Sequence, residues 1–432
     1  MKKILFLTRN FPPMMTEGST RSWQLASHLE AIGWHPLVIG PAGIEGLDDN
    51  PDISLWYAEG AYTLYNTGQA VVGDGASPEM VQRLLCGMPV NAFSQLKNSV
   101  GGLLRAENND QGWEKIARES AQQLIAEEGE IELIYAQGPP VTPHMLGLEL
   151  AKKHGLPLVL DFLAPYDVEG ADSVTSLAHH QRFEKLEEQV MQSGHAIIVP
   201  SRSLKIYFLK KYFGHLTNDD IRIVSDGYDP EDALISGRGP KDEDAVMRWV
   251  ILAERVTRKE LAAIFAAVSE LLQQHEELRG MLSISMIGSQ SHEAAALCRK
   301  YKLDDVFTLQ LQCSRSGETE LCSMADLCLA AVGRGEMNEV FVPERLFDII
   351  GIRLPLLGFL HDGATRQVVE DAGGRIVEPG SRGQLAGILL ELVEQWRNGQ
   401  LQPLPDDAVR GFGIGKAIDE LHREIVSRLP LD

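Results

Sequence analysis

The hydrophobic pattern opens with a short continuous run. Residues 4–7 are apolar throughout, as expected of a strand covered on both faces. Pro12 and Pro13 end it, because proline fixes φ and donates no backbone hydrogen bond. Gly18, Ser19 and Thr20 supply a flexible turn and helix N-cap chemistry. Trp23, Leu25, Ala26, Leu29 and Ile32 then recur at helical spacing, Gly33 closes the helix, and 36–40 starts a second strand. The first loop of this β-loop-α-β unit is too long for a mere connector. It lies at the carboxyl end of a strand, where open α/β sheets bind ligands.

The alternation continues. Residues 80–127 read as two helical segments separated by the polar stretch 107–112. Strands are expected at 133–136, 158–162 and 196–199, with helices at 143–154 and 179–192 between them. This order predicts a parallel, doubly wound sheet. Pro230, Gly237, Gly239, Pro240 and a run of acids then break the pattern over 230–246. A second alternation follows: a strand at 249–253, a helix at 258–274, and strands at 282–287, 306–311, 327–331 and 354–357. Phe412, Ile414, Ile418, Leu421 and Ile425 mark a final amphipathic helix within 410–428. The expected domains are 1–202 together with the helix 410–432, and 203–409.

The 432 residues suit two domains, and 44% apolar content supplies ample core. A net charge of −21 argues against nucleic-acid binding, which rests on clustered Lys and Arg. It gives no general attraction to anionic lipid, although a local basic patch for peripheral membrane contact stays open. Cys86, Cys298, Cys313, Cys322 and Cys328 form no CxxC pair and read as reduced, buried thiols. Lys2 and Lys3 precede only four apolar residues, well short of the roughly 7–15 of a signal-peptide core. No stretch reaches the ~18 apolar residues of a membrane span. A cytoplasmic protein is expected, with contact at the inner membrane face left open. No His/Cys/Asp/Glu cluster has metal-ligand spacing, and no Ser/His/Asp arrangement stands out.

Six segments, in order along nearly the whole chain, resemble the bacterial glycosyltransferases of family four. They are Phe11 to Pro13 with Gly18 to Arg21; 138–144 with 155–162; 199–205; 223–230; 342–348; and 362–380. The resemblance implies a GT-B fold: two Rossmann-like α/β domains, their parallel sheets facing an interdomain cleft, with the C-terminal helix packing back on the N-terminal domain. It also implies a retaining transferase that uses no metal or cofactor. Such an enzyme moves a sugar from a nucleotide-sugar donor, UDP- or GDP-linked, to a glycan, a lipid-linked acceptor or another glycoconjugate.

By the same resemblance Arg255, Lys259, Gly335 and Arg345 approach the donor diphosphate, where cations and helix N-termini stabilise the leaving group. Arg258 beside them leaves the choice of cation open. Asp348 matches the carboxylate that accepts from the ribose hydroxyls; alignment on Pro355 selects it, and the spacing of Glu336 and Glu344 is then coincidental. Gly18, Ser19 and Thr20 form the acceptor-side loop. Asp161 is the candidate catalytic base or acceptor-orienting group, with a buried structural aspartate as the other reading; His144 is open in the same way. The chain departs from the family at Leu163, Ala164, Tyr166, Ser225, Asp226, Glu254, Glu260 and Arg353. Glu254 and Glu260 bring negative charge to the proposed diphosphate site. These departures carry the alternative reading, a transferase-like protein that binds a sugar nucleotide or a partner enzyme without transfer.

Overall fold

Seven strands build the first sheet: β1 (Lys2–Leu7), β2 (Trp34–Gly40), β3 (Thr63–Asn66), β4 (Ile131–Gly138), β5 (Leu158–Phe162), β6 (Ala196–Val199) and β7 (Ile221–Ile223). All pairs are parallel, in the order β3-β2-β1-β4-β5-β6-β7. The second sheet holds β8 (Met247–Glu254), β9 (Leu282–Ile287), β10 (Phe307–Leu309), β11 (Leu327–Val332), β12 (Leu356–Leu360) and β13 (Arg375–Val377). Its order is β10-β9-β8-β11-β12-β13, again parallel. The computed structural model describes residues 2–11, 18–40, 63–66, 100–128, 131–166, 177–230, 246–287, 291–309, 321–380 and 382–429.

Each sheet thus has the doubly wound order of a Rossmann-like fold, reversing direction between its first and fourth strands. In the first sheet that point lies between β1 and β4; in the second it lies between β8 and β11. The apolar runs explain the central strands. Ile4, Leu5, Phe6 and Leu7 are fully buried, and Leu5 sits between Leu37 and Ile134 in register. Along β8 the side chains alternate between two cores, as a strand period of two requires. Trp249, Ile251 and Ala253 join one; Val250 and Leu252 join the other.

The helix Arg258–Gln274 begins with a capping box between Thr257 and Glu260. Its buried face of Leu261, Ile264, Phe265, Val268 and Leu272 packs with Leu385, Leu389 and Val393 of the helix Arg382–Arg397. Cys298, Cys322 and Cys328 are buried; Cys86 and Cys313 lie outside the described residues.

Several elements differ from the pattern-based expectation. One helix, Val100–Glu128, runs through the polar stretch 107–112 that was expected to divide it. Polar residues lower helix propensity by only tenths of a kcal/mol each, too little to interrupt a helix of that length. Residues 80–99 of the first expected segment lie outside the described residues. The final helix runs Ile414–Arg428, starting four residues later than expected, and a short helix Asp406–Arg410 precedes it.

By its internal packing the chain divides into two units, Met1–Asp226 with Gly415–Asp432, and Gly227–Ile414. The first boundary therefore falls beyond the expected 202. The helix Arg202–Lys211 and β7, which pairs with β6 through Ile197 and Ile221, extend the first sheet. The C-terminal boundary is also later than 409. The Tyr228 amide donates to Phe412 O at 3.0 Å and the Ile414 amide to Tyr228 O at 2.9 Å, which holds that segment in the second unit. The helix that follows belongs to the first unit, where Glu424 lies 3.6 Å from Arg222.

Candidate functional site

At the switch point of the first sheet, β1 and β4 deliver polar side chains to one buried cluster. Ser22 Oγ donates to Gln137 Oε1 at 2.6 Å, and Thr8 Oγ1 donates to the same oxygen at 2.8 Å. Asn10 Nδ2 donates to Pro139 O at 2.8 Å. Gly18 is the N-cap of the helix Ser19–Leu29, at φ +92°, with no side-chain cap. A Cβ there would stand 2.2 Å from Leu163 Cδ1. Ser19 and Thr20 are buried in the first helical turn, one position past the cap expected of them. Residues 12–17, with Pro12 and Pro13, lie outside the described set.

Beside this cluster Arg21, buried almost completely, bridges two carboxylates. Its Nε donates to Asp161 Oδ2 at 2.8 Å and its Nη2 to Asp161 Oδ1 at 3.0 Å, while Nη1 donates to Asp226 Oδ1 at 2.7 Å. The Tyr135 hydroxyl also donates to Asp161 Oδ2. Burial alone would pull Arg21 down, but the two carboxylates overcome it and hold the guanidinium above its ordinary value. Burial pushes the Asp226 carboxyl up, and Arg21 only partly offsets that. Asp226, a departure from the family pattern, is therefore the second anchor of Arg21. Sequence reasoning did not assign either residue a role in the site.

Asp161 and His144 are both fully buried. His144 Nε2 lies 3.1 Å from both Ala136 O and Asp161 O, which assigns it the proton. Nδ1 then accepts from the Tyr166 hydroxyl, and the ring packs on Phe162 with centroids 4.4 Å apart. Burial lowers the His144 pKa to about 4, so the imidazole is neutral at physiological pH. Both ring nitrogens are engaged inside the protein, and Asp161 is engaged by Arg21 and Tyr135. The structure thus ties Asp161 to Arg21 and Tyr135, and His144 to the backbone at the ends of β4 and β5.

In the second unit the loops after β8 and β11 nearly touch. A Cβ at Gly333 would lie 2.3 Å from Arg255 O, so only glycine permits this approach. Asn338 Nδ2 ties the same loops, donating to Gly333 O at 2.8 Å and Arg255 O at 3.4 Å. Arg255 occupies the left-handed region at φ 52°, and its guanidinium stacks 4.0 Å from the centre of the Phe341 ring. Lys259 is exposed in the first turn of the helix Arg258–Gln274. Glu260, next to it, points back into the loops. It accepts from Thr257, from the Arg334 amide at 3.0 Å and from His361 Nε2 at 2.8 Å.

A pocket of about 380 Å³ opens at these strand ends, lined by Arg334, Gly335, Asn338, Glu339, His361 and Arg366 among others. Of the expected donor residues, Gly335 lines this pocket; Arg255, Lys259, Arg345 and Asp348 do not. Asp348 is buried in the short helix Arg345–Gly351, whose neighbours Leu346, Phe347, Ile349 and Ile350 are core residues, and Arg345 at its start is half-buried. Among the described residues no group of three His, Cys, Asp or Glu is placed to hold a metal ion, and no helix is long and apolar enough to cross a membrane.

No protein-family model and no curated protein sequence matches the chain. Solved structures do. A glycosyltransferase from Rickettsia africae shares 14% identity over 98% of both chains, with a TM-score of 0.62. Sucrose-phosphate synthase from Thermosynechococcus elongatus gives 0.63 at 14% identity, over 99% of this chain and 100% of its own. Anabaena HepE in complex with UDP and glucose gives 0.60 at 14% identity, over 99% and 100%. The chain has the GT-B fold.

Proposed function

We propose that this GT-B protein is a nucleotide-sugar-dependent glycosyltransferase. The observation that supports the reading best is the close approach of the β8 and β11 loops at Gly333, beside the 380 Å³ pocket. Open α/β sheets bind nucleotides at that position, and the similar HepE structure contains UDP and glucose. In this reading Arg255, Lys259 and Arg345 neutralise the departing diphosphate with no metal ion, Gly335 lets the backbone approach it, and Asp348 accepts from the ribose hydroxyls. The donor is UDP- or GDP-linked, and the acceptor is a glycan or lipid-linked sugar. Gly18, Ser19 and Thr20 shape the acceptor side. Asp161 and His144 act there through Arg21, as positioning residues. Transfer proceeds with retention of anomeric configuration, a proposal taken from the family resemblance.

Calorimetric titration with UDP- and GDP-sugars tests this directly. One donor is expected to bind, with affinity reduced at least about tenfold in Arg255→Ala and Asp348→Ala, the loss expected for one charge-assisted contact. Slow donor hydrolysis in the presence of EDTA, giving a sugar of retained configuration by NMR, would support the transferase. Binding unchanged by both substitutions would overturn the site assignment. Glu260, seated among the same loops, favours the second reading, a transferase-like binding protein; binding without hydrolysis or transfer would select it.

A further inference from the structure

The loops after β8, β11 and β12 meet on one carboxylate. Glu260 Oε2 accepts from the Thr257 amide at 2.9 Å and the Thr257 hydroxyl at 2.8 Å. Oε1 accepts from the Arg334 amide at 3.0 Å and His361 Nε2 at 2.8 Å. An ionised carboxylate offers about four lone-pair sites, so these partners use them all. Glu260 is therefore a saturated internal group and not a candidate for binding a sugar hydroxyl. A Cβ on Gly333 would stand 2.9 Å from Oε2, so the carboxylate is seated within the turn between β8 and β11. This is the switch point, where a backbone amide and the start of a helix would otherwise face a ligand anion. Burial on its own would raise the Glu260 pKa, but hydrogen bonds from Thr257, His361 and Arg334 hold it below the usual carboxylate range. The group is charged at neutral pH.

We infer that Glu260 is a resident anion that weakens diphosphate binding: it fills the amide and imidazole donors of the switch-point cradle, so a ligand diphosphate must bind beside it. The ligand class rests on the nucleotide-sugar reading; the position of the carboxylate does not. The 380 Å³ pocket, with Arg334, Glu339, His361 and Asp362 on its wall, leaves room for the displaced ligand. Glu260 is bonded to the Arg334 amide and to His361 of that wall, and its charge opposes a second anion nearby. A neutral polyol or a nucleoside meets no such penalty.

Glu260→Gln removes the charge while keeping the capping box, because glutamine also serves at that position. It cannot accept from Arg334 and His361 while also serving Thr257 through a single oxygen, so it opens part of the cradle. Titrating UDP and inorganic pyrophosphate into the full-length wild type and Glu260→Gln is expected to show pyrophosphate binding roughly tenfold or more tighter in the variant, with the gain growing at low ionic strength. Glu260→Ala, which vacates the cradle altogether, is expected to shift in the same direction. Equal or weaker pyrophosphate binding in both variants, with thermal unfolding intact, would overturn the inference; so would the absence of pyrophosphate binding in all three proteins. If pyrophosphate binding rises but no protein binds UDP, the resident-anion inference stands and the nucleotide-sugar reading falls. If wild type binds UDP tightly and the variants match it for both ligands, the reading stands and the inference falls.

Discussion

Replacing Arg21 with methionine is expected to destabilise the first unit by roughly 3–5 kcal/mol, the usual loss when one member of a buried ion pair is removed. The guanidinium is 3% exposed and supplies three hydrogen bonds to Asp161 and Asp226. Methionine fills a similar volume, so the loss isolates the stranded carboxylates from any cavity. Those carboxylates then face each other and the Tyr135 hydroxyl without a cation, and one must take up a proton. Hydrogen exchange read by mass spectrometry follows the two units separately. Protection is expected to fall in β1, β4 and β5 and to stay unchanged in β8 to β13. The triple variant Arg21→Met, Asp161→Asn, Asp226→Asn should recover much of the stability, since it strands no charge. A loss below about 1 kcal/mol would place the pair in the class of surface ion pairs, and that would contradict the burial seen here.

Stability of the first unit is expected to decline between neutral pH and pH 5, with His144 as the main source. Its folded pKa of about 4 lies below the ordinary 6.5, so the unfolded chain takes up the proton first. Stability from the neutral, buried ring is fully present above about pH 6.5 and is lost as pH falls towards 4, by roughly 3 kcal/mol over that window. Asp226 works in the opposite sense. Its raised pKa makes its contribution greatest in acid and lost as pH rises through the folded value. A His144→Gln variant keeps one donor for the carbonyls of Ala136 and Asp161 and one acceptor for Tyr166, without a titrating ring. Urea unfolding of wild type at pH 7 and pH 5 should show the decline, and the variant should flatten it. A slope equal in the two proteins would assign the acid sensitivity to other groups.

Much of the fold was legible in short apolar runs. The strands at 158–162 and 196–199 coincide with β5 and β6 because continuous burial leaves a continuous apolar signal. β7, with three residues and its arginine exposed, carries no such signal, and its pairing is what moves the first boundary to Asp226. The site was legible only where local sequence holds it together. Gly18 announced a turn. Arg21 and Asp226 are 205 positions apart and Glu260 and His361 are 101 apart; no period or local motif connects them. Glu260 was visible only as a misplaced acid near a phosphate site. Its partners explain why the chain tolerates it: the negative charge is spent on three loops.

The assignment of the last helix to the first unit bears on the order of events during synthesis. Residues 227–414 form a continuous unit, whereas the first unit needs both the opening 226 residues and the segment from Gly415 onward. Ile418, Leu421 and Ile425, all buried, leave the ribosome only after residues 227–414 have done so. Amino-terminal domains ordinarily fold first as the chain emerges. In this chain the later unit closes while the earlier one still lacks its final helix, and the nascent sheet must remain soluble until that helix arrives.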